Sequence, residues 1–162
     1  MFDQVIVTGC FDILHQGHVE FLGQARKLGY VTVVIPSDEV YKEYKREQPA
    51  LCDYERKKVL SALKTVDSVV ITQRTDCVTH FLDGMYARGG GYDRGRDEVR
   101  PVALVVSQDD PLLNLKAQEC EKHKIVLVVQ NTLKVNDSSV IKARLHSNAA
   151  MEKVNARGSS QS

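Results

Sequence analysis

The chain has 162 residues, 43% of them apolar and 27% charged, ordinary proportions for one globular domain around one core. Its 22 Lys and Arg against 21 Asp and Glu leave a net charge of +1, which supplies no general attraction to nucleic acid or to an anionic membrane. No stretch approaches the ~20 apolar residues of a membrane span, and Val5-Ile6-Val7 is too short to serve as a signal peptide.

Gln4–Thr8 is a short β-branched run, predicted as a strand that ends at Gly9. Gly17–Leu28 sets Val19, Phe21, Leu22, Ala25 and Leu28 at helical spacing, with Gly29 as a candidate C-cap. Tyr30–Ile35 reads as a strand buried on both faces and stopped by Pro36. Asp53–Leu63 is a predicted helix, capped by Asp53, with Val59, Leu60 and Leu63 inward. Strands are expected at Ser68–Thr72, Val102–Val106 and Ile125–Val129, and helices at Asp76–Leu82 and Leu112–His123. Asn136-Asp137-Ser138-Ser139 is a capping cluster ahead of a last helix over Val140–Leu145. Short strands alternating with helices predict an α/β fold: a single Rossmann-like doubly wound domain with a five-stranded parallel sheet over residues 1–146. Within it, 86–100 is rich in Gly and Arg and is expected as an inserted surface loop; 147–162 is expected as a flexible C-terminal tail. Cys10, Cys52, Cys77 and Cys120 lie far apart, with no C-x-x-C pair, which predicts reduced, mostly buried thiols and a cytoplasmic protein.

The first predicted strand runs into Thr8-Gly9-Cys10-Phe11-Asp12-Ile13-Leu14-His15-Gln16-Gly17-His18 at the start of a helix. Ligands of open parallel sheets sit beyond such carboxyl ends. A helix N-terminus offers free N–H groups and a positive dipole end, Gly17 lets an anion approach the backbone, and two imidazoles can donate to phosphate oxygens. Two other readings stand beside this one. His15, His18 and Asp12 are a partial metal set, without further ligands at suitable spacing. Alternatively, the histidines cap the helix and satisfy loop carbonyls.

V-T-G-C-F-D-I-L-H-Q-G-H-V-E-F-L-G-Q-A-R-K-L-G resembles the signature of the cytidylyltransferase-like nucleotidyltransferases, whose hallmark is H-x-G-H. It is most similar to glycerol-3-phosphate cytidylyltransferases and to heptose-1-phosphate adenylyltransferase domains, and the likeness extends over about residues 3–146. Further landmarks follow in order: Ser37-Asp38-Glu39; the basic residues Lys42, Lys45 and Arg46; Pro49 followed by Glu55-Arg56; Asp67-Ser68-Val69-Val70; and Asn136–Ile141. The resemblance implies an enzyme that transfers a nucleoside monophosphate from CTP or ATP to a phosphorylated sugar, polyol or similar metabolite, with release of pyrophosphate. It implies Mg2+ travelling with the triphosphate, and a homodimer. His15 and His18 would hold the α- and β-phosphates, and Lys45, with Lys42 or Arg46, would neutralise the triphosphate. Arg56 would bind phosphate, Ser138 and Ser139 would hold the outer phosphates, and Cys10 and Phe11 would meet the nucleotide through backbone atoms. Thr8, Gly9 and Gly17 belong to the same nucleotide-binding loop, which Asp12 would orient.

The individual landmarks also have plainer readings. Lys42, Lys45 and Arg46 fit a solvated charge run, Arg56 fits a surface helix arginine paired with Glu55 or Asp53, and Ser138 and Ser139 fit ordinary caps. The family's glycine-rich segment after the fourth strand is here Ser107-Gln108-Asp109-Asp110, which keeps two acids for the substrate side but has Gln108 in place of a glycine. No arginine precedes Asn136 where the cytidylyltransferase branch carries one, so the donor base stays open between cytosine and adenine. Segment 86–100 reads equally as an acceptor lid or a tolerated insertion. A non-catalytic nucleotide-binding protein and a metal-dependent hydrolase are the rival classes.

Overall fold

The computed structural model describes residues 1–74, 102–131 and 140–147. In chain order it contains β1 (Phe2–Thr8), α1 (Gln16–Arg26), β2 (Gly29–Pro36), α2 (Asp38–Lys45), α3 (Asp53–Ser61), β3 (Ser68–Thr72), β4 (Val102–Ser107), α4 (Leu113–Lys122) and β5 (Val126–Gln130). A helix over 140–147, α5, follows. The strands form one five-stranded sheet in the order β3-β2-β1-β4-β5, every neighbouring pair parallel.

The alternation of side chains along each strand divides the core between the two faces. Val5 and Val7 of β1, Val31, Val33 and Ile35 of β2 and Val105 of β4 share a face with Leu22 and Ala25 of α1 and Leu60 of α3. Ile6, Val34, Leu104 and Val106 point the other way, to Cys120 of α4 and Ile125. The crossovers β1-α1-β2 and β4-α4-β5 run in opposite directions along the sheet, so right-handed connections put α1 and α4 on opposite faces. This is the doubly wound arrangement expected from the alternation. Complete burial of Leu22 or Leu60 is worth about 1.5–3 kcal/mol each.

Several local expectations are corrected. Gly29 is not a C-cap: Lys27 caps α1 in right-handed geometry, and Gly29 opens β2. Its glycine is required by close approach, since a Cβ there would lie 1.9 Å from the Phe2 carbonyl oxygen. Cys52, not Asp53, is the N-cap of α3, where its backbone N–H donates to Glu55 Oε2 at 2.9 Å in a capping box. Val19 and Val59 are exposed, and the inward partner of Leu60 on α3 is Arg56. The basic stretch after Ser37 is itself helical, as α2. The buried Ser37 Oγ accepts from Val40 N–H at 3.4 Å, and only Val40 and Tyr41 of that helix face inward. Among the described cysteines, Cys120 is buried, Cys10 half-buried and Cys52 exposed.

The predicted helix Asp76–Leu82, segment 86–100, Ser138, Ser139 and the tail beyond 147 lie outside the described residues. Among the described residues no helix is long and apolar enough to cross a membrane.

Candidate active site

The chain steps outward from β1 to β2 and β3, then returns to place β4 on the other side of β1. The cleft beyond the carboxyl ends of β1 and β4 is thus the topological switch point, the position where such sheets take ligands. β1 delivers Thr8, after which Gly9 N–H donates to Val34 O at 3.2 Å and the chain turns into the loop before α1. A Cβ on Gly9 would sit 2.8 Å from Phe11 Cε2, so the absent side chain makes room for that ring. Phe11 is 6% exposed and has φ 47°, a left-handed conformation that costs a non-glycine residue about 1–2 kcal/mol.

This turn places the Phe11 ring 4.9 Å from His18, tilted by 53°. His18 in turn stacks on His15, with centroids 3.8 Å apart and planes 24° from parallel. His15 is the N-cap of α1, and its carbonyl receives the N–H groups of His18 at 3.0 Å and Val19 at 3.2 Å. Gln16 and Gly17 form the first turn, whose amides have no carbonyl behind them within the helix. The structure therefore brings His15, Gly17, His18 and the Gly9–Phe11 backbone together at one helix N-terminus, a geometry suited to an anion.

Asp12, within this loop, is buried at 3% exposure. Its Oδ1 accepts from the amides of Ala50 at 2.8 Å and Leu51 at 3.0 Å, and its Oδ2 faces Tyr41 Oη at 3.1 Å and Lys142 Nζ at 2.6 Å. Burial pushes its carboxyl up. The hydrogen bond from Lys142, the two amides and the Lys142 charge outweigh that and hold it below the ordinary 3.8. Lys142 also donates to Tyr41 Oη at 3.1 Å and to Glu47 Oε1 at 2.9 Å. Burial lowers its affinity for the proton, but these acceptors reverse the effect and raise it. Burial pushes the Tyr41 phenol up to about 12. Nothing in the sequence pattern singles out Lys142, Tyr41 or Glu47. The available signal was Asp12 itself, an acid among Phe11, Ile13 and Leu14, because a buried carboxylate needs a partner.

Arg56 departs from the expected phosphate ligand, and it is not a surface arginine either. Its side chain has no exposed area. Nε donates to Leu51 O at 3.1 Å, Nη1 to Cys10 O at 3.0 Å, and Nη2 to Pro36 O at 3.0 Å and Asp38 Oδ1 at 2.8 Å. It clamps the site's loop to β2 and to the start of α2. Lys42, Lys45 and Arg46 are exposed on the last turn of α2, with Arg46 as its left-handed C-cap at φ 56°. Asp109 is exposed and hydrogen-bonded to Ser107 Oγ. Asp110 is committed to α4: Oδ1 accepts from Leu112 N–H at 2.8 Å and Oδ2 pairs with the buried Lys116 at 2.6 Å.

The partial metal set read from His15, His18 and Asp12 is not assembled among the described residues. The His, Cys, Asp or Glu atoms that converge there are those of Asp38, Cys52 and Asp53, within 4.8 Å of one another. Of these, Asp38 pairs with Arg56, and Asp53 Oδ2 accepts from Asp38 N–H at 3.3 Å.

The chain also resembles known proteins in sequence and in fold. Residues 6–151 match the cytidylyltransferase-like family. An FAD synthase of Archaeoglobus profundus is 40% identical over 140 residues, covering 81% of this chain and 88% of that protein. One of Aciduliprofundum boonei is 32% identical over 138 residues, covering 85% and 83%. The FAD synthase of Thermococcus sibiricus is 44% identical over 77 residues, 47% of this chain and 51% of that protein, so the chain matches about half its length. A lipopolysaccharide core biosynthesis protein of Thermoplasma volcanium shares the fold at a TM-score of 0.61 and 23% identity, covering 82% of this chain and 98% of that one. A doubly wound sheet, an H-x-G-H pair stacked at its switch point and a family match over nearly the whole chain lead to one assignment: the chain belongs to the cytidylyltransferase-like nucleotidyltransferases.

Proposed function

We propose that this chain transfers an adenylyl group from ATP to a phosphate monoester and releases pyrophosphate, with flavin mononucleotide as the acceptor. The observation that carries the transfer reading is the His15–His18 stack at the N-terminus of α1. The choice of donor and acceptor rests on the FAD synthases among the relatives, since FAD is an AMP unit joined to flavin mononucleotide. A sugar or polyol phosphate is the second reading, favoured by the likeness of Gly9–His18 to the heptose-1-phosphate adenylyltransferase signature.

In the proposed reaction an acceptor phosphate oxygen attacks the α-phosphorus, and the bond to the β-phosphate oxygen breaks as pyrophosphate departs. The acceptor is ionised at neutral pH and needs no general base. The chain's task is to position the reactants and stabilise charge that builds on the phosphoryl oxygens. His15 and His18 donate to those oxygens. The first-turn amides of Gln16 and Gly17 receive the same anion. Lys45, with Lys42 and Arg46, closes over the triphosphate from the end of α2, and Ser138 and Ser139 hold its outer phosphates. Asp12 and Arg56 serve by fixing the loop. Mg2+, when bound to the triphosphate, would offset part of its charge, while Asp12 and Asp38 are paired with Lys142 and Arg56.

Pyrophosphate release is measured with ATP or CTP against flavin mononucleotide, glycerol 3-phosphate and a sugar 1-phosphate. ATP with flavin mononucleotide is expected to give the highest kcat/KM. His18→Ala is expected to lower turnover by about 10²–10³. Full activity in His18→Ala would remove the histidine role, and no turnover of any pair by the wild-type chain would favour a non-catalytic binding protein.

A further inference from the structure

We infer that Lys142 is a positioning residue that locks helix α5 to the loop presenting His15 and His18. Its ammonium has three N–H donors and meets three acceptors, each from a different part of the chain: Asp12 of the loop, Tyr41 of α2, and Glu47 just beyond α2. The contact to Asp12 is the shortest, and it reaches a carboxylate that is 3% exposed. Asp12 has little freedom to follow another partner, because its second oxygen is held by the amides of Ala50 and Leu51.

The placement along the chain gives this contact its consequence. Asp12 lies three residues before His15, and Lys142 lies three residues after Ser139. One ion pair therefore joins the segment that ends in the imidazole pair to the helix that follows the two serines. Under the transfer reading, on which the kinetic part of this inference rests, the loop that Asp12 anchors carries the imidazoles that meet the triphosphate, and a misplacement of about 1 Å can cost on the order of 10²-fold in rate. Buried ion pairs are weak contributors to net stability, but removing one partner leaves the other buried and uncompensated. Lys142 thus sets geometry more than it adds stability.

The test compares Lys142→Met, Lys142→Arg and Asp12→Asn with the wild type by steady-state kinetics and by hydrogen exchange. Lys142→Met is expected to lower kcat about 30- to 100-fold and raise KM for ATP, with KM for the acceptor changed less than twofold. Lys142→Arg keeps the cation and is expected to recover part of kcat. The double variant Asp12→Asn/Lys142→Met should be no worse than the poorer single variant. Amide exchange should quicken both in 10–14 and in 140–147, while the strands keep their protection. Equal loss of protection throughout the sheet would mean a merely structural role and overturn the inference. So would Lys142→Met with kcat and KM within twofold of wild type, or exchange that quickens in 140–147 alone. If the wild-type chain turns over no donor–acceptor pair, the transfer reading fails, and exchange at 10–14 alone decides whether Lys142 holds the loop.

Discussion

Asp12 shows how much one side chain here depends on its surroundings. It is withdrawn from water, faces Lys142, and titrates below its ordinary 3.8. A carboxyl depressed in the folded state binds protons more weakly there than in the unfolded chain. Its contribution is therefore complete above the unfolded value and is lost as pH falls through the folded one. Urea melts below about pH 5 should show this as an acid limb. In Lys142→Met the opposing effect of burial is left without the cation, and the limb should move to higher pH. Arg56 makes a second residue-scale prediction. Its guanidinium serves three carbonyls and Asp38 with no exposed area, so Arg56→Ala should destabilise by about 3–5 kcal/mol in denaturant melts. Arg56→Lys should recover less than half of that, because an ammonium cannot reproduce the planar fork. The sequence brought Arg56 to notice for a different purpose. Its spacing of four from Leu60 already put it on the inward stripe of α3, yet a charged residue inside a run as polar as Glu55-Arg56-Lys57-Lys58 carries no mark of burial.

At the scale of elements, Gly29 and Phe2 define the joint between β1 and β2. Phe2 N–H donates to Leu28 O at 2.6 Å, and Phe2 faces Gly29 in the parallel register. Because a Cβ would meet backbone, which cannot rotate away, Gly29→Ala should cost about 1–3 kcal/mol while leaving α1 helical, as checked by thermal melts and circular dichroism. The strands were legible because β-branched runs such as Tyr30–Ile35 and Val102–Val106 admit few other readings. Helix α2 was not, since its inward side is only Val40 and Tyr41 among Asp38, Glu39, Lys42, Glu43 and Lys45. Capping followed the same logic: Asp53 has the stronger intrinsic preference, but its carboxylate is drawn to Asp38 N–H, and Cys52 takes the cap. Val19 and Val59 fit the helical stripe by spacing and still face water, because periodicity gives a period and not the width of the covered face.

For the whole molecule, the candidate site draws on β1, α1, α2, the segment before α3, and α5, so a ligand bound there should stabilise the fold as a unit. At 100 times its Kd, a nucleotide adds about 2.7 kcal/mol, which for a chain of this length raises Tm by roughly 5–10 °C. ATP should give that shift and CTP a much smaller one in a thermal-unfolding series. The strand–helix alternation that implies a parallel sheet, and the first motif, were readable because both are local in the sequence. The clasp of Asp12 by Lys142 was not, because it joins positions 130 residues apart and rests on the finished fold. The strand order has one more outcome, for the growing chain. β1 ends in the middle of the sheet, yet of its two neighbours β2 begins at Gly29 and β4 only at Val102. On the ribosome, β1, β2 and β3 are all delivered before β4, and at about 5–20 residues per second the nascent half-sheet waits roughly 2–7 s with the backbone of Gln4–Val7 as a bare edge. That interval, rather than any weakness of the finished protein, is when a holdase has most to shield.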